Sequence, residues 1–304
     1  MILQIFSTAL IISTLGMATP LILGALSGTY SETTGVINLG IEGMMISGAF
    51  GAAAVSLLTG SAWLGLLCGV IFGGVMGLLL AVMSIRFQAN QSVVGVGLNI
   101  FAAGIPALFL QYYWGSPGRT PQCAAIDVIN IPIISKIPII GELNPVTYIT
   151  ILIVIISHYV IFHTPFGLRM RAVGHHPKAA DTVGVNVFKV RYISVIVSGM
   201  LAGLGGAYLS VAQLSMYSDG MVAGRGFIAL AAMIFGKRTP VGCLLAGLLF
   251  GFAEALQMTL QAVGVPVPSD FLLMSPYIVT LLVLVLFVGK TIDPSANGKP
   301  YVKS

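Results

Sequence analysis

Long apolar runs recur along this chain with almost no charge inside them, and that pattern leaves few folds open. The runs are about 17 to 25 residues long, the length an α-helix needs to cross the roughly 30 Å hydrocarbon core of a bilayer. Charged residues make up 8% of the chain and hydrophobic ones 57%, where a soluble domain is about 25% charged. In lipid every backbone N–H and C=O must be satisfied internally, so a spanning segment is a helix or part of a closed barrel. Barrel strands alternate polar with apolar residues, and these runs do not. The expected fold is an all-α membrane protein, a polytopic bundle of nine transmembrane segments with room for a tenth, in contact with the lipid bilayer.

The nine segments fall near residues 5–27, 36–58, 62–84, 92–113, 146–162, 192–213, 223–236, 240–262 and 271–289. No Lys or Arg precedes Arg86, so the first run lacks the positive flank of a secretory signal and reads as a helix that stays. Placing the N-terminus outside puts eleven Lys and Arg residues inside: Arg86, Arg169, Arg171, Lys178, Lys189, Arg191, Lys237, Arg238, Lys290, Lys299 and Lys303. Arg119, Lys136 and Arg225 are left outside. That bias follows the positive-inside rule, and it accounts for the net charge of +5 without a nucleic-acid partner. Cys68, Cys123 and Cys243 lie far apart and show no metal-ligand or disulfide spacing.

The segments divide into two sets. One to four (about 5–113) form a first repeat and six to nine (about 192–289) a second. Segment five (146–162) connects them, 163–191 is a cytoplasmic loop and 290–304 a cytoplasmic tail, all within one transmembrane domain, 1–304. An odd connector inverts the second set, the arrangement of many transporters. In each half the second segment is interrupted by glycine: Gly35, Gly40 and Gly43 in one, Gly224 and Gly226 in the other. Segment seven, at about 14 residues, is short of a full span. Broken helices at matching positions point to a substrate pathway. Gly65, Gly69, Gly73 and Gly77 in segment three, and Gly247 and Gly251 in segment eight, recur every four residues, which suits close helix packing.

Polar residues within or beside the spans carry the rest of the information. Glu42 lies about six residues into segment two, roughly 9 Å along a helix, and Glu254 lies inside segment eight. An ionisable group at that depth costs about 2.5–3.5 kcal/mol on insertion scales and should face protein or water. Asn38, Glu42, Asn90, Gln91 and Asn99 are candidate pathway residues, with Phe101, Tyr112, Tyr113 and Trp114 as surface for a planar ring. For each amide the plainer reading is a helix–helix hydrogen bond. GKT at 289–291 has Leu284 where a phosphate-binding loop needs glycine. Neither an HExxH, a nucleophile elbow nor a paired-carboxylate site is present, so the chain reads as a transport subunit rather than an enzyme. His158 and His163 read as interfacial.

The loop TPFGLRMRAVGHHPKAADTVGVNVFKVR, residues 164–191, is the most polar stretch and, counted from residue 163, holds five of the positive charges. Pro177 suits the first position of a short helix and Gly184 its C-terminal cap. Small residues Ala179 and Ala180 between them allow a partner to approach closely. From physics alone this is equally an ordinary topogenic loop.

The same stretch resembles the cytoplasmic coupling segment of the ABC permeases for simple sugars, nucleosides and branched-chain amino acids. GVINLGIEGMMISGAF (35–50) resembles that family's N-terminal motif, and SGMLAGLGGAYLSV (198–211) and GRGFIALAAMIFGKRTPVG (224–242) its C-terminal signatures. The resemblance covers nearly the whole chain and is nearest to the smaller permease of nucleoside importers. It implies a bacterial cell-membrane permease that binds no cofactor itself, ATP and Mg being used by a separate cytoplasmic ATPase. That ATPase would dock on Gly167, Arg169, Arg171, Gly174, Pro177, Lys178, Ala179, Ala180 and Gly184. A second, larger permease would complete a heterodimeric pore, and an extracytoplasmic binding lipoprotein would deliver solute. Cargo stays open between a nucleoside, a sugar such as ribose or galactose, and a branched-chain amino acid. An ion-coupled secondary transporter, with Glu42 as its proton site, is the rival from a different class.

Overall fold

The computed structural model describes residues 8–115, 118–127, 140–264 and 293–302, with isolated positions between 268 and 282. Expected segment nine lies mostly outside the described residues, and Lys136, Lys290, Lys303 and the 284–291 stretch lie wholly outside them.

Ten α-helices carry the described chain: α1 Thr8–Thr33, α2 Ile41–Thr59, α3 Ala62–Ala81, α4 Gln91–Phe109, α5 Pro145–His163, α6 Pro165–His175, α7 Pro177–Thr182, α8 Val187–Tyr208, α9 Arg225–Phe235 and α10 Pro240–Ala262. No β-strand occurs among the described residues. Seven of the helices are long and apolar enough to cross a bilayer, with α3, α4 and α8 extended by π-helical turns. The helix starts are written locally. Pro sits in the first turn of α5, α6, α7 and α10, where its missing N–H is no loss. Asn90, Asn144, Thr164, Asn186 and Thr239 accept hydrogen bonds from the first-turn N–H groups of the helices they precede.

Helix α1 is the hub. From Ala18 to Thr33 it is buried on every side, packed between α8, α9 and α10. Glycine faces bring the helices together. The Gly69, Gly73 and Gly77 face of α3 lies against Gly199, Gly203 and Ala207 of α8, and a methyl group at Gly73 would collide with the Gly199 carbonyl. Gly247 and Gly251 of α10 seat on Ile22 and Ala18 of α1. The four-residue spacing is thus a packing device, since small residues are what let backbones approach in lipid.

Two segments depart from continuous helices. The expected second segment begins near 36, but α2 starts at Ile41, and residues 36–40 run without helical structure. Ile41 nonetheless packs beside Gly24 and Gly28 of α1. It therefore sits about 7–14 Å along from that helix's end at Thr33. The expected seventh segment is the eleven-residue α9, about 16 Å long and half the thickness of a hydrocarbon core.

The connecting segments sort to two ends. At one, Thr34, Gly174, Arg191, Arg238, Asp293 and Lys299 are joined by hydrogen bonds. At the other, residues 119–126 run back along 211–218, with Thr120, Cys123 and Ile126 N–H groups donating to the carbonyls of Tyr217, Ser215 and Val211.

Candidate functional site: two interrupted segments joined by a carboxylate

The break before α2 is held by side chains from other helices. Gly35 opens it with φ +81°, and a side chain there would meet the Ala296 carbonyl and the Arg191 guanidinium. Gln91 Oε1 accepts from Ile37 N–H at 2.7 Å. Asn38 is fully buried; its Oδ1 accepts from Gly40 N–H at 2.9 Å and its Nδ2 donates to Ser198 on α8. Asn99 Oδ1 accepts from Gly43 N–H at 2.8 Å and its Nδ2 donates to the Leu39 carbonyl. A non-helical backbone at membrane depth is tolerated only where its polar groups are satisfied by protein or water, and these amides supply that satisfaction.

Glu42 ties this break to the other. It lies in the first turn of α2 rather than six residues into a helix. The irregular stretch 36–40 takes the place of the helical turns expected before it. Its Oε1 accepts from Gly224 N–H at 2.8 Å and its Oε2 from Gly226 N–H at 2.6 Å. These are free donors at the start of α9, where a negative charge also meets the positive end of the helix dipole. Gly226 must be glycine, since a methyl group there would strike the Glu42 backbone.

Arg225, between those two glycines, reaches Glu254 of α10 at 3.3 Å, with both side chains largely buried. A charge inside a membrane protein is expected to find a partner; depth in the sequence singles out Glu254 but not Arg225, which the charge bias places on the outer side.

Four of the five expected pathway residues, Asn38, Glu42, Gln91 and Asn99, therefore converge on one break. Asn90 does not; it is exposed and caps α4. The expected aromatic surface is also elsewhere. Phe101 is 54% exposed on the outer side of α4, and Tyr112, Tyr113 and Trp114 cluster at that helix's end, as interfacial aromatics do.

The loop after α5 forms two helices where one was expected. Pro177 occupies the first turn of α7, and Gly184, with φ +85°, closes it through its N–H to the Asp181 carbonyl. Ala180 corrects the sequence reading: it is 4% exposed and faces the protein, whereas Lys178 and Ala179 face outward. Gly167 and Gly174 are likewise buried, packed on the Ile161 and Thr33 carbonyls, while Arg169 and Leu168 are exposed. Arg171 lies over the Phe162 ring at 5.5 Å. Arg191, counted as a loop charge, is buried and donates to the carbonyls of Thr34 at 3.1 Å and Lys299 at 3.2 Å. Among the described residues no group of three His, Cys, Asp or Glu is placed to hold a metal.

Comparison with known proteins gives a consistent picture. The family model for branched-chain amino acid transport system permease components matches residues 10–289. The chain is 42% identical to the guanosine ABC transporter permease protein NupQ of Bacillus subtilis, over 99% of this chain and 98% of that one. It is 40% identical to the nucleoside ABC transporter permease protein NupC of Lactococcus lactis, over 94% of each. A putative glucose ABC transporter permease protein of Haloferax volcanii, TsgC13, is 35% identical over 85% of this chain and 80% of its own length.

Proposed function

Because the chain belongs to the branched-chain amino acid transport system permease family and is a multi-pass membrane protein, we propose that it is the permease subunit of an ABC importer in the bacterial cell membrane, with a nucleoside as cargo. The carrying observation is the near-full-length likeness to relatives named for guanosine and nucleosides. A sugar is the second reading, favoured by the glucose name of another relative.

The transmembrane path runs beside the junction of the two breaks. The amides of Asn38, Gln91 and Asn99 hold the shape of its wall and Glu42 links its two sides. Nine segments, four in each of two inverted halves (5–113 and 192–289) and a connector between them, make the domain. Three contacts support that symmetry. The glycine face of α3 packs on α8, and that of α10 on α1, so the third segment of each half meets the first of the other. The two interrupted second segments meet each other through Glu42. The N-terminus lies outside and the 163–191 loop inside.

The chain binds no cofactor of its own. A cytoplasmic ATPase hydrolyses ATP with Mg and docks on the exposed side of α6 and α7, including Arg169, Lys178 and Ala179. Gly167, Gly174, Pro177, Ala180 and Gly184 shape those helices and transmit the push to α1 and α8. A second, larger permease completes the pore and an extracytoplasmic lipoprotein delivers solute.

Uptake of labelled guanosine in cells carrying all four subunits tests the reading. Uptake persists when proton and sodium gradients are collapsed with ATP kept high, stops on ATP depletion, and is competed by other nucleosides. Uptake that follows an ion gradient, or competition by glucose or leucine alone, rejects it.

A further inference from the structure

The described tail, residues 293–302, is built into the body of the protein. Arg238 clamps Asp293 at 2.6 Å and Glu32 at 2.7 Å. Ala296 N–H donates to the Gly174 carbonyl and Gly298 N–H to the Gly35 carbonyl. The buried Arg191 donates to the Lys299 carbonyl. Tyr301 is 5% exposed, packs its ring on Phe188 at 5.4 Å, and lies beside the Asp181 carboxylate. A segment tied at five points to the Gly35 break, α6, α8 and the α9–α10 turn is a fixed wall.

That wall faces α7 across a cavity of about 570 Å³, open at the end of the bundle. Its formally charged lining is of one sign, Lys178 and Lys299. His175, His176 and Lys178 stand on the helical side and Lys299 on the tail side, with Lys178, His176 and Lys299 exposed. The two nearby carboxylates do not line it: Asp181 is taken up beside Tyr301 and Asp293 by Arg238. Between the charges the lining is apolar or small, from Pro177, Ala179, Ala296, Pro300 and Val302. A cationic rim over an apolar floor is complementary to a short acidic segment with an apolar residue beside its carboxylates. Electrostatic complementarity of this kind sets specificity and on-rate more than affinity.

We propose that the α7–tail groove receives an acidic segment of the cytoplasmic ATPase, so that the C-terminal tail forms one half of the docking surface and α7 the other. This rests on the reading that the ATPase docks on the α6–α7 loop. It adds that the docking is two-walled and charge-dependent. Through Gly298 the same tail touches the break at Gly35, so an occupant of the groove presses on both the coupling helices and the interrupted segment.

The test is co-purification of the chain with its cognate ATPase from membranes in which both are expressed, comparing wild type, Lys178→Glu/Lys299→Glu and Val183→Arg. Val183 is 78% exposed just beyond α7 and outside the groove. The groove proposal expects the double reversal to cut retained ATPase about tenfold or more at normal insertion, and expects wild-type retention to fall as salt rises. It also expects a zero-length carbodiimide reagent to join Lys178 or Lys299 to an Asp or Glu of the ATPase. Loss of retention in Val183→Arg with full retention in the double reversal overturns the groove and leaves the coupling loop standing. Full retention in both variants overturns the coupling reading itself. Lysines that cross-link only within their own chain also overturn the groove.

Discussion

Glu42 is the residue on which most of the site depends. Its two oxygens hold two N–H groups of α9, and hydrogen bonds to a charged group contribute about 1.5–3 kcal/mol each. Replacement by Gln keeps one acceptor and should lower transport without preventing assembly. Replacement by Ala leaves both donors unpaired inside the membrane and should cost on the order of 2–4 kcal/mol. Thermal unfolding in detergent checks the order wild type, Gln, Ala, and a Gln variant no more stable than Ala would deny the partial acceptor any role. Arg225 and Glu254 make a second residue-scale test. Arg225→Met strands a carboxylate and should destabilise by about 3–5 kcal/mol, whereas the Met/Met double variant should recover much of it, because an apolar pair of similar volume replaces a buried ion pair at little cost. Additive losses in that cycle would mean the 3.3 Å pair is not energetically coupled.

At the scale of elements, the glycine faces decide which helices meet. Gly203→Val places a side chain against the α3 backbone, while Gly97→Val adds one where nothing lies within 4 Å. The first should abolish the folded peak in size-exclusion chromatography and the second should leave it. The element pattern was legible because lipid makes long apolar helices unmistakable and because Pro, Asn and Thr mark their starts. Both interruptions were legible from glycine. Their partners were not. Asn38, Gln91 and Asn99 read as pathway amides because their bonds run to groups that hydropathy cannot locate, backbone 54 to 60 residues away for Gln91 and Asn99 and the Ser198 hydroxyl for Asn38. Ala180 read as exposed because a six-residue helix gives too short a period to tell its inner face from its outer one. Arg191 and the tail read as topogenic charge, since a count of Lys and Arg does not distinguish a buried guanidinium from a free one.

For the whole molecule, orientation and energy source are the claims at stake. Segments assigned to the inside by charge are the same ones joined at one end of the bundle through Arg191 and Arg238. With the three native cysteines replaced, Lys178→Cys should resist an impermeant thiol reagent added to intact cells, and Arg119→Cys should react. The reverse pattern inverts the topology. The most direct measurement of the central claim uses proteoliposomes holding both permeases, the ATPase and the binding lipoprotein, with ATP turnover and nucleoside uptake recorded together. Uptake is expected only when ATP reaches the face bearing α6 and α7, with no imposed ion gradient. Val183→Arg should lose uptake in proportion to ATPase lost. Uptake by this chain driven by a proton or sodium gradient without ATP would contradict it.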